Sequence, residues 1–152
     1  MKHDESALVK QALREAREQL RSRGHIRPAT YLLVKNNPQT GAPLTNLTAI
    51  GNTREAPFAS GKEFAEFIDQ LRSEIARLGA VAVALSGEAE AEIETSSGKA
   101  SKRRVWYVRI EDAQGIEQLH APIEPDGSGF RLGQLLADAG AVDMLEAPLL
   151  SR

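Results

Sequence analysis

The segment from Ala80 to Glu94 constrains the fold more than any other part of this sequence. Its first six residues, 80–85, are all apolar, as in a strand that is buried on both faces of a sheet. A strict alternation then begins, which places four glutamates two residues apart: Glu88, Glu90, Glu92 and Glu94. A helix would scatter this glutamate row around its circumference, whereas a strand places it on one face. We therefore predict one long strand, kinked or bulged at Gly87.

The sequence that follows predicts two further strands. Residues 104–110 are rich in aromatic and β-branched residues, and the period of a strand places Trp106 and Tyr107 on opposite faces. One of the two is expected in the core and the other nearer to solvent. The turn sequence Asp-Ala-Gln-Gly at 112–115 leads into a third strand over 116–123. Successive strands joined by short loops form an antiparallel meander.

Two amphipathic helices are also predicted. The first, over 5–23, carries an apolar residue at spacings of four, three and four: Val9, Leu13, Ala16 and Leu20. The second begins with a capping box of Ser60 and Glu63 and ends at Gly79. Its apolar stripe is longer: Phe64, Phe67, Ile68, Leu71, Ile75 and Leu78. This second helix is expected to cover the sheet.

The remaining elements complete the expected architecture. A hairpin is predicted over 31–35 and 44–50, a short helix over 132–139, and the last dozen residues along a sheet edge. We predict a single α+β domain over residues 1–152. It consists of a largely antiparallel meander sheet of about five strands, covered by one main amphipathic helix, with an N-terminal helix and a short C-terminal helix. The element order is loosely similar to that of small bacterial and phage proteins, a likeness that implies no activity.

The bulk properties exclude several classes of function. The 152 residues carry a net charge of −2, which gives no global attraction to nucleic acid or to an anionic membrane. The absence of cysteine excludes disulfides and thiolate nucleophiles. The N-terminal sequence has no apolar stretch of the kind found in secretory signals, and the apolar run at 80–85 is too short to cross a bilayer. We predict a cytoplasmic protein with no membrane partner.

The sequence contains no recognisable catalytic, metal-binding or phosphate-binding motif. Its histidines, His3, His25 and His120, lack the spacing that presents two imidazoles on one helix face. Neither Gly-Lys pair is followed by serine or threonine, as a phosphate-binding loop requires. The prediction is therefore no cofactor and no metal, which favours a non-catalytic protein.

The glutamate row is the most unusual feature of the sequence. It would serve as a carboxylate ridge that binds a basic partner or a divalent cation, or simply as a solvated strand face that discourages edge pairing. A third interpretation is internal, because Arg103 or Arg104 together with Arg109 would face the row from the neighbouring strand in a charge ladder.

Basic residues form a second feature, on the first helix. They repeat the spacing of four, three and four along one side of it: Lys10, Arg14, Arg17 and Arg21. This basic ridge would bind phosphate or an acidic protein; alternatively it is a solvated face, with Glu18 bonded to Arg14 and Arg21. Tyr107 near Arg109 is a further candidate contact, because tyrosine and arginine are enriched at interfaces.

Three functional predictions follow from these features. The leading one is a non-catalytic binding or assembly module that acts on a protein partner, or on a second copy as a homodimer, through its sheet surface or first helix. The second is a small enzyme with a site around Glu88, Arg109 and His120, because strand neighbours can assemble a site without a sequence motif. The third is a nucleic-acid-associated protein that uses the basic ridge.

Overall fold

A computed structural model describes residues 7–53, 60–94, 98, 100–137, 145 and 148–150 of the chain. These residues form two helices and seven strands: α1 (Ala7–Arg23), β1 (Ala29–Asn36), β2 (Pro43–Thr53), α2 (Gly61–Leu78), β3 (Ala80–Glu94), β4 (Ala100–Asp112), β5 (Gly115–Asp126), β6 (Gly129–Leu132) and β7 (Leu136–Ala137). The strands make one antiparallel sheet in the order β2-β1-β3-β4-β5-β6, with β7 beside β5. The predicted α+β class and antiparallel sheet are confirmed, and the sheet is larger than predicted.

The two helices cover opposite faces of this sheet. α1 buries one side against Tyr31, Trp106 and other residues of one face: Leu8, Val9, Ala12, Ala16 and Leu20. α2 packs on the other face: Ile68, Leu71 and Ile75 of the helix meet Leu32, Val34, Val83 and Leu85 of the strands. The prediction of one main covering helix was therefore wrong. Because β3 is apolar on both faces, each face needs a helix of its own.

The ends of α2 confirm its predicted capping. The Ser60 hydroxyl accepts a hydrogen bond from the Glu63 amide at 3.1 Å. Gly79 ends the helix with φ of 66°, and its amide donates to the Ile75 carbonyl. A residue with a side chain would be strained in this left-handed conformation. The residues that precede α1, including its predicted first turn at 5–6, lie outside the described residues.

The predicted C-terminal helix over 132–139 is wrong for the part that the structure describes. Gly127 has φ of 63° and turns the chain back, so that β6 pairs with β5 from Asp126↔Gly129 to Ile123↔Leu132. Two residues of β7 then pair with β5 as well. The turn therefore decides the structure of this segment, since it brings the chain beside the open edge of β5. Positions 138–139 lie outside the described residues.

The last dozen residues were expected along a sheet edge. Leu145 and Leu149 instead lie buried in the core beneath α2. The other described residues of this segment are 148 and 150. The C-terminal segment therefore contributes to the covering of the α2 face.

The pairing of β3 with β4 is the longest in the sheet. Its register runs without a shift from Ala82↔Asp112 to Glu94↔Ala100, so the predicted bulge at Gly87 is absent. A Cβ at Gly87 would lie 2.9 Å from the Tyr107 hydroxyl, which shows that the glycine makes room for this ring. β1 begins beside Ser86, and β5 ends its pairing with β4 at Val105. Residues 87–94 and 100–104 therefore continue as a two-stranded hairpin arm.

A buried ion pair lies on the α2 face of β4. Arg109 and Glu111 are both fully buried, and the Arg109 Nη2 lies 2.9 Å from the Glu111 Oε1. The Glu111 carboxylate also accepts hydrogen bonds from the amides of Leu149 and Leu150, at 3.0 and 2.8 Å. This carboxylate therefore ties the C-terminal segment to the sheet.

We predict that Glu111→Gln lowers the free energy of unfolding by about 3–5 kcal/mol, because it removes the carboxylate that neutralises a buried guanidinium. Urea denaturation followed by the fluorescence of the buried Trp106 measures the loss. The matched control is Glu66→Gln on the exposed face of α2, which should change stability by no more than about 0.5 kcal/mol. Equal stability of the two variants would contradict the structural role of Glu111.

Candidate interaction surface

The basic ridge lies on the side of α1 that faces away from the sheet. All four of its side chains are exposed, whereas the residues that α1 buries lie on the opposite side. At 100° per residue the four positions fall within about 60° of the helix circumference. From Lys10 to Arg21 the ridge extends for about 16 Å along the helix axis. It is a straight row of positive charge.

Local bonds hold two members of the ridge. Arg14 donates a hydrogen bond to Gln11, and Arg21 forms an ion pair with Glu18. Glu18 was expected to bind Arg14 as well, but Gln11 takes that place. Lys10 and Arg17 make no ion pair within the described part of the chain. The ridge therefore keeps an excess of positive charge.

Two polar contacts connect the second half of α1 to β1 and to the segment that precedes it. The Tyr31 hydroxyl donates a hydrogen bond to the Glu15 carboxylate, and the Arg27 amide donates one to the Gln19 side chain at 2.7 Å. Burial and then the bond to Glu15 raise the pKa of Tyr31 well above its usual range. The phenol therefore stays protonated and keeps donating at physiological pH. The helix that carries the ridge is thereby held in one position.

The first member of the glutamate row ties the hairpin arm to the end of α1. The Glu88 carboxylate accepts hydrogen bonds from Arg104 Nε and Nη2 at 2.8 and 2.9 Å, and from the Ile26 amide at 3.1 Å. Arg104 Nη2 also donates to the Gly24 carbonyl at 2.7 Å. The guanidinium lies 4.6 Å from the centre of the Phe130 ring. Glu88 and Arg104 are thus engaged in holding the fold together.

Two of the other three members of the row are paired with basic residues in the register of the hairpin arm. The register places Glu90 opposite Arg104 and Glu92 opposite Lys102. Glu94 stands opposite Ala100. Among the described residues, no group of three or more histidine, aspartate or glutamate side chains could share a metal ion. The arrangement is a cross-strand charge ladder, which fits the internal interpretation of the row.

Of the two alternatives offered for this ladder, Arg103 or Arg104, the register selects Arg104. Arg103 is paired with Ala91 and so lies on the opposite face of the hairpin arm. Arg109 lies on the α2 face, fully buried beside Glu111. The prediction that Arg109 would face the row was wrong, since Arg109 alternates to the other side of β4. The row's ladder partners are Arg104 and Lys102.

The structure does not bring the proposed enzyme residues together. Glu88 pairs with Trp106 and lies on the α1 face. Tyr107 pairs with His120, and Arg109 lies two residues further along the same face, which is covered by α2. The sheet therefore separates Glu88 from the other two. Arg109 is moreover inaccessible to solvent.

Tyr107 packs within the sheet and is not an exposed contact residue. It is half-buried, its ring lies over Gly87, and burial raises its pKa. Sequence reasoning also missed Glu111, the carboxylate that Arg109 contacts. The available signal was their spacing: two residues apart on a strand, both point to one face, and their neighbours on β3, Val83 and Leu85, are apolar.

Neither α1 nor α2 has the length and apolar composition needed to cross a membrane. Comparison with models of known protein families, with curated protein sequences and with solved structures finds no match. All four residues of the basic ridge are exposed, whereas the other candidates Glu88 and Tyr107 are partly buried and Arg109 is fully buried.

The contacts of Glu88 predict a measurable pKa. Partial burial opposes its ionisation, but the bonds from Arg104 and the Ile26 amide outweigh burial, so the pKa of Glu88 is lowered. A lowered pKa stabilises the folded state above the ordinary glutamate pKa of about 4.3, and this stabilisation is lost as the pH falls through the pKa of Glu88 itself.

We predict that Arg104→Lys raises the pKa of Glu88, because lysine cannot make the bidentate contact. A titration of the side-chain carboxyl groups by NMR measures it. Arg103→Lys is the matched control, since Arg103 lies on the other face of the hairpin arm. An identical Glu88 pKa in wild type and Arg104→Lys would show that the bidentate contact between Arg104 and Glu88 does not exist in solution.

Proposed function

We propose that this protein is a non-catalytic binding module that presents the basic ridge of α1 to an acidic segment of a protein partner. The observation that carries the proposal is the exposure of all four ridge side chains on a helix whose other side is buried in the core. A helix mounted in this way offers positive charges at fixed positions, so a partner meets them without having to order the helix.

The charge of the ridge stands out against the rest of the chain. Between residues 7 and 23, α1 contains five arginines and lysines and two glutamates, whereas the whole chain has a net charge of −2. The positive charge is therefore local. Local charge of this kind steers the approach of an oppositely charged partner and orients it on the surface.

An acidic protein segment fits the ridge better than nucleic acid does. α1 contains no aromatic side chain on which a base could stack. Nucleic-acid binders of this size are usually strongly basic, and this chain is not. Nucleic acid is therefore the alternative outcome of the experiment below.

Removing two ridge charges tests the proposal. We predict that Arg14→Ala/Arg17→Ala weakens binding to a poly-glutamate peptide by about tenfold at low salt, because two exposed ion pairs contribute up to about 1 kcal/mol each. The binding of a fluorescent peptide, followed by anisotropy at several salt concentrations, measures the effect. The difference between variant and wild type should shrink as salt is added.

The matched control removes the same charge from the other helix. Lys62→Ala/Arg77→Ala takes two exposed positive charges from α2, and it should leave the affinity for the peptide nearly unchanged. Equal losses in the two double variants would show an effect of net charge alone and would contradict the proposal. Tighter binding of duplex DNA than of the peptide, lost in the ridge variant, would replace the acidic protein with nucleic acid.

A further inference from the structure

β2 forms one edge of the sheet. β1 pairs with its inner side, and no described strand pairs with its outer side. A register shift near the start of β2 leaves residues 44–47 without partners on β1. The regular part of the pairing joins residues 48–53 of β2 to residues 29–34 of β1. Six residues extend for about 20 Å. On the outer side, alternate residues present amide and carbonyl groups that no described strand pairs.

The other free edges are protected in ways that β2 is not. β6 and β7, at the opposite edge, have four and two residues, and β6 contains Arg131. The free edges of the hairpin arm carry charges such as Glu90, Lys102 and Arg103. Short or charged edge strands resist pairing with other chains. β2, from Pro43 to Thr53, has no charged residue along its whole length.

A groove of about 820 Å³ lies beside β2 on the α2 face, and its lining combines apolar residues with the charged Glu74 and Arg77 of α2. Ile50 of β2 lines it together with Phe67 and Leu78 of α2. Because Ile50 belongs to the edge strand itself, the groove reaches the outer edge of the sheet. A partner that extends the sheet beyond β2 would also cover this groove.

The symmetry of such an extension favours a second copy of this chain. When two copies pair antiparallel about a two-fold axis normal to the sheet, each β2 meets the same strand of its partner. A charge on the strand would then lie close to its own copy and repel it. An uncharged strand avoids this repulsion at every register. The rotation also keeps both α2 helices, and with them the two grooves, on one side of the extended sheet.

We infer that this protein forms a homodimer through the outer edges of β2, residues 48–53, which pair antiparallel to make one continuous sheet across the two copies. The occupant is a second copy because the edge offers no charge by which an acidic or basic peptide would be recognised. The inference is independent of the proposed function, since the basic ridge lies on α1 and not on this edge.

Sedimentation equilibrium between about 1 μM and 1 mM tests the inference. Wild type should associate to a dimer in this range, and Thr48→Lys/Asn52→Lys should stay monomeric, because like charges then face each other across the two-fold axis. Ala65→Lys/Ala89→Lys adds the same charge at exposed positions on α2 and the hairpin arm, and should dimerise as wild type does. Far-UV circular dichroism shows whether each variant folds.

Hydrogen exchange of the backbone amides in the wild-type protein tests the inference without using any variant. The amides of 48–53 should gain protection as the concentration is raised across the dimerisation range, whereas those of the hairpin arm should not. A wild type that stays monomeric up to about 1 mM would overturn the inference. So would a dimer whose formation leaves the exchange of the β2 amides unchanged, or one that persists in the folded Thr48→Lys/Asn52→Lys variant.

Discussion

The burial of β3 on both faces sets the rest of the structure. Ala82 and Ala84 belong to the core beneath α1, and Val83 and Leu85 to the core beneath α2. A strand of this composition is stable only when both sides are covered, and this requirement assigns one helix to each face. Beyond Ser86 the apolar residues on one side give way to glutamates, so β3 and β4 continue as an arm beyond the core. The outer side of α1 is then left to solvent, with the basic ridge on it.

Two charged pairs, one on each face, connect the sheet to the segments that cross it. Arg109 and Glu111 hold the C-terminal segment to the α2 face, and Glu88 and Arg104 hold the end of α1 to the hairpin arm. Buried charges persist only when they are paired and hydrogen-bonded.

If two copies join through β2, the two-fold axis also places both basic ridges on the same side of the extended sheet. An elongated acidic partner would then gain affinity by contacting both ridges.

The features that sequence reasoning predicted correctly depend on local patterns. The Ser60 cap, the Gly79 stop, and the alternation of the glutamate row follow from helix and strand periods within a few residues. The wrong predictions concern segments whose structure depends on contacts with residues far away in the sequence. The segment at 132–139 has apolar spacings that suit a helix, but Leu132, Leu136 and Ala137 pair with β5 in the sheet. Arg109 suited a surface position by residue type alone, and its burial depends on Glu111 and on the apolar residues of β3. The basic ridge could be found because helix geometry places its four residues on one side of α1, opposite the apolar stripe, whereas no motif in the chain indicates what such a surface would bind.

The most direct test of the ridge as the binding surface is to map the contact by NMR. Backbone amide shifts would be recorded while a poly-glutamate peptide is added to the isotope-labelled wild-type protein at low salt. We expect the shift changes to concentrate in α1 around Lys10, Arg14, Arg17 and Arg21, and to disappear at high salt. Changes centred on the groove beside α2 or on the hairpin arm, with α1 unperturbed, would show that the ridge is not the binding surface.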